Sequence, residues 1–203
     1  GIGKTSFLEY LRLPEVWRIH ALEPEQAVVI LVPCFAVVPF NRSNFWRFIL
    51  EQINLKILGN QELIQFVNLQ LQQEILKARN LRAVLQELGK HERYLVLLLD
   101  DYDVALQVSG EHTNNDIEQL VSEIRSLAVS EERQNLSIVV TTSRRLNEIG
   151  PNLTPEKSPW YNHYVFRQLK PLSNEEANTV LAGLPMTPEL RDGIRQIADG
   201  NPA

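Results

Sequence analysis

Unbroken apolar runs alternate with longer amphipathic stretches along this chain. Ala27 to Val38 is apolar and largely β-branched, Tyr94 to Leu99 is apolar throughout, and Leu136 to Thr142 repeats the pattern more weakly. Runs with no polar face predict strands covered on both sides. His163 to Leu169 reads as a last strand. Between the runs the period lengthens. Thr5 to about Leu13 predicts a helix stopped by Pro14. Asn41-Arg42-Ser43 supplies an N-cap for a helix reaching about Leu58, where Gly59-Asn60 breaks it. From Gln61 to Leu88, Leu71, Ile75, Ala78, Leu81, Leu85 and Leu88 recur at steps of three and four, predicting one long helix stopped by Gly89. Its stripe suits packing on a sheet better than a coiled-coil seam.

A further helix is predicted from about Asn115 to Val129, and two short ones within Ser173 to Ala203. Gly150 to Pro159, rich in proline and asparagine, reads as a loop. Strands alternating with helices imply an α/β fold with a parallel sheet and right-handed crossovers. A domain boundary is placed near Lys170-Pro171, dividing the chain into residues 1–170 and 171–203.

Composition narrows the partners. The formal charge of −5 offers no general attraction to nucleic acid or to an acidic membrane surface. No run approaches the about 20 apolar residues that span a bilayer. The single cysteine, Cys34, lies in an apolar segment and reads as a buried strand thiol, which suits a reducing cytoplasm. His20, His91, His112 and His163 show no metal-ligand spacing. Trp17, Trp46 and Trp160 read as packing residues, and three N-x-[ST] triplets as coincidence.

The chemistry concentrates where predicted strands end, which is where ligands bind in open α/β sheets. Gly1-Ile2-Gly3-Lys4-Thr5-Ser6 matches the second half of the phosphate-binding pattern G-x-x-x-x-G-K-[ST], whose first glycine and strand would precede residue 1. Gly3 lets backbone approach a phosphate, Lys4 offers a cation to the β- and γ-phosphates, and Thr5 offers a hard hydroxyl to Mg2+. Asp100 closes an apolar strand and is the second metal candidate. Asp101 is placed to orient or deprotonate an attacking water. A capping role for Asp101 and Asp103 on the next helix is the alternative, and Asp103 is assigned to it. Arg144, ahead of Arg145, follows the Thr141-Thr142 strand end and is placed to touch the γ-phosphate. Gly200-Asn201-Pro202 is by itself a turn.

In this order the parts resemble the STAND class of P-loop ATPases, AAA+-related switches that include NB-ARC and NACHT proteins. Leu97-Leu98-Leu99-Asp100-Asp101 looks like the Walker B strand, and Val139-Val140-Thr141-Thr142-Ser143-Arg144 is similar to the sensor strand. Leu169-Lys170-Pro171-Leu172-Ser173 with Glu175-Glu176-Ala177 looks like the entry to the class's helical domain. The resemblance implies a three-layer P-loop core with its first strand missing, then a small helical domain. It implies ATP or ADP with Mg2+ as ligands, bound by Gly1 to Ser6, and Pro202 against adenine. Lys4, Asp101 and Arg144 would serve slow hydrolysis. It also implies self-association through the full-length protein, while the acidic balance and the apolar run lengths above predict no membrane and no nucleic-acid partner for this fragment. An AAA+ ATPase that loads onto DNA, or an ATP-binding scaffold without turnover, would share the same core.

Overall fold

The computed structural model describes residues 3–57, 59–151, 159–198 and 200. Three parallel strands, β1 (Ala27–Pro33), β2 (Tyr94–Asp100) and β3 (Leu136–Val140), lie side by side in that order. With helices between them, the protein is α/β. From Leu95 onward every residue of β2 is buried, as a central strand covered on both faces requires. Val28, Ile30 and Val32 of β1 join Leu95, Leu97 and Leu99 of β2 in the main core. They alternate along their strands and share one face.

The described helices are α1 (Lys4–Leu11), α2 (Pro14–Ile19), α3 (Arg42–Lys56), α4 (Gln61–Leu71), α5 (Ala78–Lys90), α6 (Asn114–Val129), α7 (Leu146–Ile149), α8 (Asn174–Ala182) and α9 (Pro188–Ala198). The chain divides into two compact units, Leu11–Val165 and the smaller Gly1–Tyr10 with Phe166–Ala203. In the larger unit α3 packs on β1, α5 on β2 and α6 on β3. Asn41 caps α3 by accepting from the Asn44 N–H at 2.9 Å, and Phe45, Trp46, Ile49, Leu50 and Ile53 form its buried face. The Trp46 indole N–H donates to Glu123 of α6 at 2.8 Å, and Arg42 pairs with the same carboxylate at 3.2 Å. That polar link lets a large ring be buried without stranding its N–H.

The structure departs from the sequence reading at five places. α1 ends at Leu11, and Pro14, expected only to stop it, opens α2 at a position that needs no N–H. β1 stops at Pro33, and Cys34–Ala36 wind into a 3-10 turn instead of extending the strand. Proline has no N–H to continue a ladder.

The helix expected from Gln61 to Leu88 is two helices. Arg47 of α3 donates to the carbonyls of Leu71 and Gln73 at 3.0 Å and of Glu74 at 3.3 Å. The Leu76 N–H donates to the Ser43 hydroxyl at 3.0 Å. Side chains of α3 thus supply the bonds that a continuous helix would have supplied itself, and Leu76 is buried at the break.

Gly89 does not stop α5 but lies inside it. A Cβ there would meet the Asn135 side chain at 2.3 Å, so glycine makes room for the segment that leads into β3. Finally, His163 to Leu169 forms no strand among the described residues. Tyr164 N–H turns back to the Tyr161 carbonyl at 3.0 Å, and Val165 and Phe166 are exposed.

Arg47→Ala is expected to lower stability by about 1–2 kcal/mol, since three carbonyls lose a charged donor in a partly exposed setting. Urea unfolding measures the loss, and faster exchange of the Leu76 amide locates it. Unchanged stability would show that water replaces the guanidinium at no cost.

Candidate functional site

The three strands finish at one rim, with Pro33 level with Asp100 and Leu99 level with Val140. Asp100 is 2% exposed, and a carboxylate so buried needs hydrogen-bond donors. The Thr141 hydroxyl donates to Asp100 Oδ1 at 2.5 Å and accepts from the Asp101 N–H at 3.1 Å. Thr141 N–H donates to the Leu99 carbonyl at 2.9 Å, and its own carbonyl accepts from the Tyr102 N–H at 2.9 Å. One threonine therefore laces the end of β3 to the end of β2.

Asp101 turns the chain out of β2 in the left-handed region, with φ 48° and ψ 49°. Few residues other than glycine tolerate this conformation, and aspartate is one of them. It leads into a 3-10 turn, Tyr102–Leu106, but its side chain makes no cap to that turn. Asp103 is not spent on capping either. Its two oxygens accept from the Ser143 N–H at 2.9 and 3.1 Å, and Oδ1 accepts from the Ser143 hydroxyl at 2.6 Å. The Thr142 hydroxyl donates to the Arg144 carbonyl at 2.7 Å. Arg144 and Arg145 are exposed on this turn.

The structure thus brings Asp100, Asp101, Asp103 and the Thr141–Arg144 turn together. Thr141 and Ser143 do most of the joining, and sequence reasoning gave neither a role. Their only signal is position, as hydroxyl residues directly after an apolar run. Gly3, Lys4, Thr5 and Ser6 belong to the smaller unit. There Gly3 adopts φ 81° before α1, and its carbonyl accepts from the Phe7 N–H at 2.9 Å. Lys4 is half-buried and Thr5 and Ser6 are exposed in the first turn. Gly200 of the same unit has φ 76°, and its carbonyl accepts from the Leu172 N–H at 2.6 Å. A Cβ there would meet the Leu172 carbonyl at 2.4 Å, so only glycine fits. Gly1, Ile2 and Pro202 lie outside the described residues.

Behind the acids, burial pushes the Cys34 thiol far up from its ordinary value, and the charges of Asp100, Asp101 and Asp103 push it further. Burial likewise raises the Tyr102 phenol, with smaller contributions from Tyr164 and Cys34. A neutral, desolvated thiol is a poor nucleophile, so Cys34 acts here as packing. His112 is also buried, its Nε2 3.0 Å from the Ala105 carbonyl and its ring edge-on to Phe40. A cavity of about 450 Å³ opens beside this segment, lined by Val38, Phe40, Val104, Val108 and Glu111 among others. Among the described residues no three His, Cys, Asp or Glu side chains are grouped to hold a metal ion, and no helix is long and apolar enough to cross a membrane.

The chain matches no protein-family model, no curated protein sequence and no solved structure.

The raised thiol sets a pH dependence. The native state keeps Cys34 neutral, while the unfolded thiol ionises near 9.0. Its stabilisation is complete below that pH and is lost as pH rises above it. Cys34→Ala should therefore give a flatter fall of unfolding free energy with alkaline pH, by up to about 1.4 kcal/mol per pH unit. Urea titrations of both proteins across the alkaline range test this, and parallel curves would contradict it.

Proposed function

We propose that this chain is the nucleotide-binding core of a STAND-type P-loop ATPase, a regulatory switch that binds ATP or ADP with Mg2+ and hydrolyses ATP slowly. The observation that carries the reading is the joined rim. A central parallel strand ends in Asp100-Asp101, and its neighbour ends in a threonine bonded to both residues. Adjacent strands that deliver an acid pair and a hydroxyl followed by arginine suit a triphosphate with its metal. The strand order β1-β2-β3 also supports it. Among the described residues β3 has no neighbour on its outer side, and Leu136, Ile138, Val139 and Val140 stay partly exposed there.

The donors suit magnesium. Asp100 and the Thr5 hydroxyl are hard oxygens, and Mg2+ takes one or two such protein ligands alongside phosphates rather than a protein cage. Mg2+, held by Thr5 and Asp100, would neutralise phosphate charge. Lys4 would bind the β- and γ-phosphates, Asp101 would orient the attacking water, and Arg144 would distinguish ATP from ADP. Pro202 would lie against adenine. A ligand that meets Arg144 in only one of its two forms can shift a conformational equilibrium by that difference. Such a switch would act in the cytoplasm and self-associate through the full-length protein.

Isothermal titration with Mg-ATP tests the reading in the full-length chain. Lys4→Ala should abolish binding, and unchanged affinity would falsify the assignment. Asp101→Asn should keep ATP bound while phosphate release slows by about 100-fold, the scale of a lost general base. Asparagine also accepts the left-handed backbone, so the variant isolates the carboxylate's charge. Turnover at the parental rate would remove Asp101 from the role.

A further inference from the structure

Asp103 is an acid that the proposed reaction leaves without a task. Its surroundings supply one. All three of its hydrogen bonds go to a single residue, two to the Ser143 N–H and one to the Ser143 hydroxyl. Bonds to an ionised carboxylate are about twice as strong as neutral ones. Holding both N–H and Oγ of one residue fixes its backbone and its side chain together. Arg144 is the next residue.

The rest of the turn is tied down in the same way. Thr141 is bonded to Asp100, to the Asp101 N–H and to the Tyr102 N–H. The Thr142 hydroxyl closes onto the Arg144 carbonyl. Every residue from 141 to 144 is thus held, and among the described residues the hold at Ser143 comes from Asp103. Ser143 and Arg144 are exposed between the buried Thr141 and Leu146, so losing that hold would give both residues more conformational freedom. An unfixed arginine loses rotamer and backbone entropy whenever it engages a phosphate.

We propose that Asp103 is a positioning residue: by clamping Ser143 it aims Arg144 at the terminal phosphate, and so sets the preference for ATP over ADP. This rests on the proposed nucleotide site and adds a residue that the site's own ligand contacts do not include. Asp103 touches no nucleotide in this scheme. Its effect appears only in ligands that carry a γ-phosphate, because only they engage Arg144. A purely structural role would lower the melting temperature and weaken both nucleotides alike.

The test measures affinities of the full-length chain for ADP and for a slowly hydrolysed ATP analogue, with thermal melting alongside. Arg144→Ala should reduce the triphosphate preference by about tenfold, the loss of one charged contact. Asp103→Ala should reduce it to within about threefold of that value with ADP affinity unchanged, and the double variant should go no further. Asp103→Asn, which keeps an acceptor but loses the charge, should fall between, and Ser143→Ala should cost less because its N–H remains. These two carry the test if the alanine variant does not fold. A parental preference in the Asp103 variants, or additive losses in the double variant, overturns the proposal while leaving nucleotide binding standing. A preference unaltered by Arg144→Ala overturns it as well. Undiminished binding by Lys4→Ala is the separate result that removes the nucleotide site, and this proposal with it.

Discussion

A carboxylate buried at the end of a strand is the constraint around which this rim is built. Asp100 is reached through five apolar residues of β2 that the core holds in place. It cannot retreat to water without pulling the strand with it. A desolvated charge costs several kcal/mol unless it is met by donors. Thr141 meets it, and the same hydroxyl accepts from the Asp101 N–H. Both bonds require β3 to end level with β2, so the parallel register and the polar rim are one solution. Thr141→Val would be nearly isosteric yet would remove one donor from Asp100 and the acceptor of the Asp101 N–H, which is why shape alone does not explain the threonine.

The same logic extends from the bond to the turn beyond it. Tyr102 is fully buried between two acids that are half-exposed. Its ring fixes the direction in which the chain leaves β2, and the left-handed Asp101 absorbs the change of course. With Tyr102 pinned, Asp103 lies within bonding distance of Ser143. The core therefore positions the polar cluster by holding the aromatic residue inside it. A non-glycine residue in the left-handed region costs on the order of 1 kcal/mol, and it persists because Tyr102 and Thr141 determine the path on both sides.

Much of this was legible before any coordinates, for a physical reason. Strands buried on both faces have no choice of polar positions, so β2 and the core of β1 could be read from continuous apolar runs. The cap of α3 was likewise local, set by Asn41. The acids stood out because a charge directly after such a run has few structural uses. What escaped was set by distant residues. The break between α4 and α5 depends on Arg47 and Ser43 in α3, and nothing in residues 72–77 announces it. Gly89 looked like a stop because its partner, Asn135, lies far along the chain. The expected strand from His163 was judged on local apolar content alone, which cannot show whether a neighbouring strand exists to pair with it.

Asp103 illustrates the boundary between the two kinds of information. Local reasoning offered it a helix to cap, the commonest use of an aspartate just before a helical turn. The structure gives its oxygens to Ser143 instead, because β3 brings that N–H and hydroxyl within reach while the short turn after Asp101 has fewer donors to satisfy. An acid accepts its strongest donors wherever the fold delivers them. The fold here delivers them from the neighbouring strand end, so the spacing of acids at and beyond the end of β2 acquires meaning only with the spacing of hydroxyls beyond the end of β3. Asp100 answers Thr141 and Asp103 answers Ser143, two ties between the same pair of turns. Two ties at different points restrain rotation as well as separation, which a single bond cannot do, and Arg144 leaves the rim from a turn held in both respects.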